Sequence, residues 1–496
     1  PNSVYYRNFI YVDIERVLDI HHSSWARRLR LSAAVVAEIE SLNRSEFVEY
    51  ERIACLKSAF LRLLFRSFLQ REYRPMTSRG VAFQRWIEQE GELLDRFATF
   101  TALDRHHHQR DPNVWVWQQW PPEYHDPDSS AVREFRNRYP REILFHKYVQ
   151  WQLDLQAAEA QEHACRRGME IGLFHDLPLA TDRCGFDLWA SPDFFVAGCR
   201  VGSPPDDFSP KGQDWSFPPP NTEKHRSNGY RLFAESIRRS ARHGGALRID
   251  HVMRLFRLYW IPDGFDATRG TYVRDDHENL LRVLALESHR QKVLIVGEDL
   301  GTVEPYMREA LARFGILSYR LFYFERNDRG EFKRPEEYPL QALVSSTTHD
   351  LPTLAGFWSG KDIEARLGAG LVTADGAVEM RRQREAEKQK MLDVLNHAGL
   401  LPPEVPRSAA LSPELSGPLH SAIFAFIAST PSALLTVNHE DLTKEEHQQN
   451  LPGSTWQYPN WRRKMRFSIE DLAHTSQAAD FSAMCRYWLE RTNRTS

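Results

Sequence analysis

From about residue 47 to 168 the apolar residues recur at three- and four-residue spacing. The runs are "FVEYERIACLKSAFLRLLFRSFLQREY", "RWIEQEGELLDRFATFTAL" and "REILFHKYVQWQLDLQAAEAQEHACRRG", and each predicts a helix with one buried face. The Pro/Asp-rich stretch "WPPEYHDPDSS", Trp120 to Ser130, separates the second from the third. After Gly168 the period shortens. Six β-rich runs follow, "MEIGLFHDLP", "GALRIDHV", "KVLIVGEDL", "LSYRLFYF", "LVSSTTHD" and "SALLTVNHED", with helical stretches or long loops between them. Alternation of this kind implies a parallel sheet covered by helices. Residues 361–430 return to helical composition in "MRRQREAEKQKMLDVLNHAGL", and the Pro-rich link "LPPEVPRSAALSPELSGP" precedes the last run.

Most of these runs end on acids: Asp176, Asp250, Glu298 with Asp299, Asp350, and Glu440 with Asp441. In a (β/α)8 barrel the chemistry sits at the C-terminal ends of the strands, so charges that repeatedly close apolar runs are its trace in sequence. The expected fold is therefore α/β, a (β/α)8 TIM barrel with large helical insertions. Only six of eight strands are accounted for, and the chain opens on Pro1 rather than Met. The expectation is that the first two strands are missing from it. The expected layout is a barrel segment over 1–30, a helical insertion over 31–140, the barrel core over 141–360, a second helical insertion over 361–430, and the last strand with C-terminal helices over 431–496.

Composition narrows the function classes. A formal net charge of -3 from 64 Lys+Arg and 67 Asp+Glu gives no basic surface for nucleic acid or anionic lipid. The longest apolar run, Ala422 to Ala428, is far short of the roughly 18 residues that span a bilayer. Five cysteines without a CxxC pair argue against a disulfide framework and for a reducing cytoplasm. Aromatic residues at 12%, with 13 Trp, suit either a large core or stacking on sugar rings, so they do not choose.

The chemistry concentrates at Arg248-Ile-Asp250-His251, Gly297-Glu298-Asp299 and Thr348-His349-Asp350. Retaining glycosidic cleavage needs a nucleophilic carboxylate and a proton-donating one about 5–5.5 Å apart. Arg248, two residues before Asp250, projects to the same side of the strand and would keep Asp250 ionised. Glu298 follows the apolar run Val293–Val296, where burial and neighbouring anions would favour its protonated form. Taken singly, an Arg-x-Asp pair or a Glu-Asp-Leu-Gly turn is more often structural. Their joint occurrence at successive strand ends is more specific.

The motifs "ALRIDHV", "VGEDLGTV" and "STTHDLPTLAGFW" resemble the three strand-end motifs of the amylomaltases, or 4-α-glucanotransferases, of the α-amylase clan. The likeness extends to "SPPDDFSPKGQDWSFPPP", "NLPGSTWQYPNWRRKM" and "NFIYVDIERV", and so covers essentially the whole chain. The resemblance implies Asp250 as nucleophile, Glu298 as acid/base and Asp350 as the group that grips sugar hydroxyls, with Arg248, His251 and His349 in support. It implies maltooligosaccharide or α-glucan donors and acceptors, no cofactor and no metal. Acceptor contacts are expected from the loop Gly202 to Phe208, including Pro205 and Phe208, from Gln213 and Trp215, and from Asn460 and Trp461. Asp207, Asp214 and Ser216 depart from the family's usual residues in that loop, which leaves acceptor preference open.

Two other readings stay open on the residues alone. A metal-dependent barrel hydrolase would use Asp250, His251, His349 and Asp350 as ligands, although Arg248 beside the site would repel a cation. A catalytically inactive glucan-binding scaffold is the other, since fold alone never proves activity. The triplet His106-His107-His108 suggests metal, but consecutive residues point in different directions.

Overall fold

The structure, a computed structural model, describes residues 3–205 and 211–494. It divides into two compact units, one of Pro1–Arg44, Glu49–Glu298 and Val303–Ala310, the other of Ser45–Val48, Asp299–Thr302 and Leu311–Ser496. All six β-rich runs that the sequence marks become strands, three parallel strands in each unit.

In the first unit the long-period region forms helices Tyr50–Phe68, Ser78–Arg110, Ser130–Arg138 and Pro140–Arg166. Their apolar faces meet around Phe68, Phe83, Tyr148 and Trp151, all buried. The helix Ser78–Arg110 is kinked at Gly91, whose φ of 65° lies in the left-handed region that glycine tolerates. The His triplet lies on this helix. His106 packs on Phe135 and Tyr139, His107 on Trp120 and Tyr124, and His108 on Trp115, so each ring serves a different aromatic neighbour.

Strand β1 is Phe174–Leu177, β2 Cys199–Ser203, β3 Gln213–Phe217, β4 Ala246–Ile249, β5 Arg257–Pro262, β6 Thr271–Arg274 and β7 Leu294–Gly297. The parallel set runs β1-β4-β7, with Leu177 opposite Ile249 and Ile249 opposite Gly297. Paired on both sides, β4 is buried at all four positions, which is why its run reads as continuous rather than alternating. Gly245 admits this packing, because a Cβ there would lie 1.9 Å from the carbonyl oxygen of Ile171.

The antiparallel sheet β3-β2-β5-β6 corrects the sequence reading. Gly202 and Gln213–Trp215, expected in one long loop, are strand residues, paired to each other as Gly202 opposite Asp214. The alternating stretch Arg257–Pro262 was absorbed into its neighbours in sequence because it follows an acidic strand end with almost no turn signal.

In the second unit β8 (Leu317–Leu321), β9 (Ala342–Ser345) and β10 (Leu434–Thr436) are parallel, with Leu321 opposite Ser345 and Thr436 opposite Ser345. They pack with helices Ala374–His397 and Gly417–Ala428 in a core that includes Phe322, Trp358, Leu395 and Phe426. The apolar run Ala422–Ala428 is thus a buried helix face, and among the described residues no helix is long and apolar enough to cross a membrane. All five cysteines are unpaired.

Candidate active site

The first unit gathers one group of charges at the ends of β1, β4 and β7. Arg248 is 8% exposed, and its Nη1 donates to both Asp176 oxygens at 2.8 Å while Nη2 donates to Asp250 Oδ1 at 2.8 Å. Burial pushes the guanidinium pKa down, but Asp176, Asp250 and Glu298 more than offset this and hold it above its usual value. Arg248 therefore stays charged. The second oxygen of Asp250, Oδ2, accepts the Leu179 N–H at 3.2 Å, and the Asp250 N–H is tied to Leu177 O at 3.0 Å.

Glu298 follows β7 as Asp250 follows β4. Because Ile249 and Gly297 are register partners, the two acids leave adjacent parallel strands at one level, and neighbouring strands lie about 4.8 Å apart. Glu298 is 8% exposed. Its Oε2 accepts the His251 N–H at 2.8 Å, and its own N–H and C=O bond to Ile249 O and Val252 N. His251 makes this possible by taking φ 43°, ψ 64°, a left-handed turn rarely adopted by side-chain-bearing residues. Burial, reinforced by Arg254 and Arg257, lowers the His251 imidazole pKa to about 4, so it is neutral at ordinary pH. The Trp215 ring packs edge-on against His251 at 5.4 Å, and its Nε1 donates to Gln213 Oε1 at 3.1 Å.

In the second unit Asp350 follows β9. Its Oδ2 lies 3.2 Å from His349 Nε2, and its Oδ1 accepts Asn450 Nδ2 at 2.6 Å. His349 packs on Trp461 at 4.9 Å between ring centres. Trp461 is 50% exposed. Asn460 is spent on its own loop: Oδ1 accepts Leu451 N–H and Nδ2 donates to Ser454 and Thr455 oxygens. Pro205 is exposed at the end of the described segment, and Phe208 lies outside the described residues.

Two expected strand-end clusters separate on inspection. Asp299, 1% exposed, is held by Ser318 Oγ at 2.6 Å, Tyr319 N–H at 2.9 Å and Arg320, a structural role. Glu440 and Asp441 stand on the short helix His439–Leu442 rather than at a strand end, and Asp441 is buried against Ser346 and the Leu354 N–H. Conversely, Arg254 and Asn450 adjoin the candidate residues without having been singled out in sequence, and Asp176 adjoins them as a residue noted there. Only Asp176 had a signal, an acid closing a β-rich run. Among the described residues no three His, Cys, Asp or Glu side chains are grouped as metal ligands.

Parallel strands that end in two carboxylates one strand apart, one of them gripped by a buried arginine, are the mark of α/β proteins with chemistry at their strand C-termini. Comparison with known proteins narrows this class. A family described as 4-alpha-glucanotransferase matches residues 1–470, and the chain belongs to that family. The 4-alpha-glucanotransferase of Mycobacterium tuberculosis is 36% identical over 469 residues, 93% of this chain and 61% of that protein. That of Haemophilus influenzae is 32% identical over 461 residues, 92% of this chain and 66% of that protein. The chain thus spans about three fifths of the length of the first of these relatives. The crystal structure of amylomaltase from Corynebacterium glutamicum superimposes with a TM-score of 0.83 at 31% identity, covering 98% of this chain and 66% of that one. This accords with the barrel reading of the sequence. Amylomaltase from Streptococcus agalactiae in complex with acarbose, at TM-score 0.76 and 18% identity over 98% of this chain and 87% of that one, shares the fold.

Proposed function

We propose that the chain carries the catalytic machinery of a 4-α-glucanotransferase that moves α-1,4-glucan segments between maltodextrins by a retaining double displacement. The observation that carries this reading is the register pair Ile249–Gly297, from which Asp250 and Glu298 leave adjacent strands at one level, an arrangement that supports a nucleophile and an acid/base acting on one bond. Asp250, fixed through both oxygens, attacks the anomeric carbon while Glu298 gives its proton to the departing glycosidic oxygen. A glucosyl ester on Asp250 results. Glu298, now a carboxylate, takes the proton from the 4-OH of an acceptor glucan, whose oxygen displaces Asp250 and restores the α-linkage.

Arg248 and His251 are proposed to support these acids, and Trp215 and Trp461 to offer stacking faces for glucose rings. Asp350 and His349 are proposed to grip sugar hydroxyls, as the family resemblance implies. Five unpaired cysteines support a reducing compartment.

Maltotriose incubated with the protein is expected to give glucose together with a ladder of longer maltodextrins. Only shorter sugars would make it a hydrolase instead. Asp250→Asn should lower turnover by roughly 10⁴-fold or more while maltodextrin binding persists. Wild-type transfer by that variant would contradict the assigned nucleophile.

A further inference from the structure

Arg254 is a partly buried cation for which the mechanism above has no use. It lies on the short 3-10 turn Val252–Leu255 that the left-handed His251 directs back behind the end of β4. Among the described residues it makes no ion pair. What it does make is one long-range hydrogen bond, from Nη1 to the carbonyl oxygen of Pro178 at 3.2 Å. That carbonyl shares its peptide group with the Leu179 N–H, the same N–H that donates to Asp250 Oδ2 at 3.2 Å. A cation on the oxygen of an amide draws electron density through the conjugated C–N bond and makes the N–H a stronger donor.

We infer that Arg254 is a positioning residue for Asp250, acting through the 178–179 peptide: guanidinium to carbonyl oxygen, N–H to carboxylate Oδ2. The inference rests on the reading of Asp250 as nucleophile. The two oxygens of Asp250 are then held by two cations, Oδ1 by Arg248 directly and Oδ2 by Arg254 through one peptide. The indirect arrangement has a chemical advantage. A second guanidinium in contact with Oδ2 would compete with the anomeric carbon for its lone pairs, whereas a polarised N–H fixes the carboxylate plane.

The charged and titratable groups around Asp250 are Arg248 with its partner Asp176, Glu298, His251 and Arg254. Those around Arg254 are Asp250, Tyr5, Asp275, His251 and His225. Burial lowers the Arg254 pKa to about 10, with Asp250 opposing the fall, so the cation persists at neutral pH. Its side chain also borders a cavity of about 90 Å³ whose walls include Leu177, Phe233 and Leu258, so an unbranched apolar side chain fits in its place.

The test is the pH dependence of kcat/KM with an activated donor, α-maltosyl fluoride, for wild type, Arg254→Met and Arg254→Gln, with Asp250→Asn alongside. Loss of the cation should lower kcat/KM by about 10-fold and move the acid limb, which reports ionisation of the nucleophile, up by about one pH unit. The Gln variant, which keeps an N–H but loses the charge, should move the limb in the same direction, and it serves if the Met variant does not fold. A wild-type acid limb in a folded variant overturns the inference whatever the rate, because a purely structural role lowers activity without moving that limb. If wild type transfers nothing, or Asp250→Asn transfers normally, the nucleophile assignment fails and this inference with it.

Discussion

At the residue scale, the partners of Arg248 explain how a guanidinium stands in the buried strand β4. Arg248 can be desolvated because Asp176 and Asp250 take three of its hydrogen bonds. Asp250 thereby stays in one orientation, and Glu298, buried after the next strand, is the acid proposed for proton transfer. The division of labour predicts a donor-dependent defect. Glu298→Gln should lower transfer from maltotriose by roughly 10²–10⁴-fold. Glycosylation by α-maltosyl fluoride, whose leaving group needs no proton, should suffer much less in the same variant. Initial rates with the two donors measure this, and equal losses would deny Glu298 the role of acid.

At the scale of elements, acids near strand ends divide into those of the candidate site and those bound into the fold. Asp441 belongs to the second kind, buried on the helix His439–Leu442 with its oxygens facing Ser346 and the Leu354 N–H. Burial raises its carboxyl to about 7, with Glu440 adding to the effect. In the unfolded chain the same group titrates near its usual 3.8. Between these values the folded state holds a proton that the unfolded state has released, so stability falls as pH rises from about 4 to 7, and the loss is complete above about 7. Asp441→Asn removes this dependence. Its Tm relative to wild type should be near zero difference at pH 4 and clearly higher at pH 8, measured by thermal melts across that range. A pH-independent difference would mean that Asp441 is ionised in the folded protein. The same scale shows what was legible in sequence. All six parallel strands announced themselves as apolar runs, most plainly β4 and β9, which are paired on both sides and buried at all four positions. Strands β2, β3, β5 and β6 did not, since they are short, half-exposed and paired locally, and their alternation was hidden by Pro and Asp in the connecting stretch. The candidate site drew notice in sequence where an acid closes an apolar run, as at Asp250 and Glu298, which the structure places after adjacent strands. It was illegible at Arg254, whose importance lies in a peptide group 76 positions earlier in the chain.

At the scale of the whole molecule, the chain contains five unpaired cysteines and relies on aromatic-rich cores rather than crosslinks. Its melting temperature should therefore be the same with and without a thiol reductant, and a drop on reduction would reveal a crosslink that these positions do not make. The proposed function names one intermediate, a covalent glucosyl ester on Asp250. The most direct test is to trap it: incubate the protein with a 5-fluoro-α-glucosyl fluoride, which forms the ester readily and releases it slowly, then digest and sequence the labelled peptide by mass spectrometry. The account predicts one added glycosyl mass on the peptide containing "ALRIDHV", localised to Asp250. A label on Glu298 or Asp350, or continued retaining transfer with Asp250 unlabelled, would contradict it.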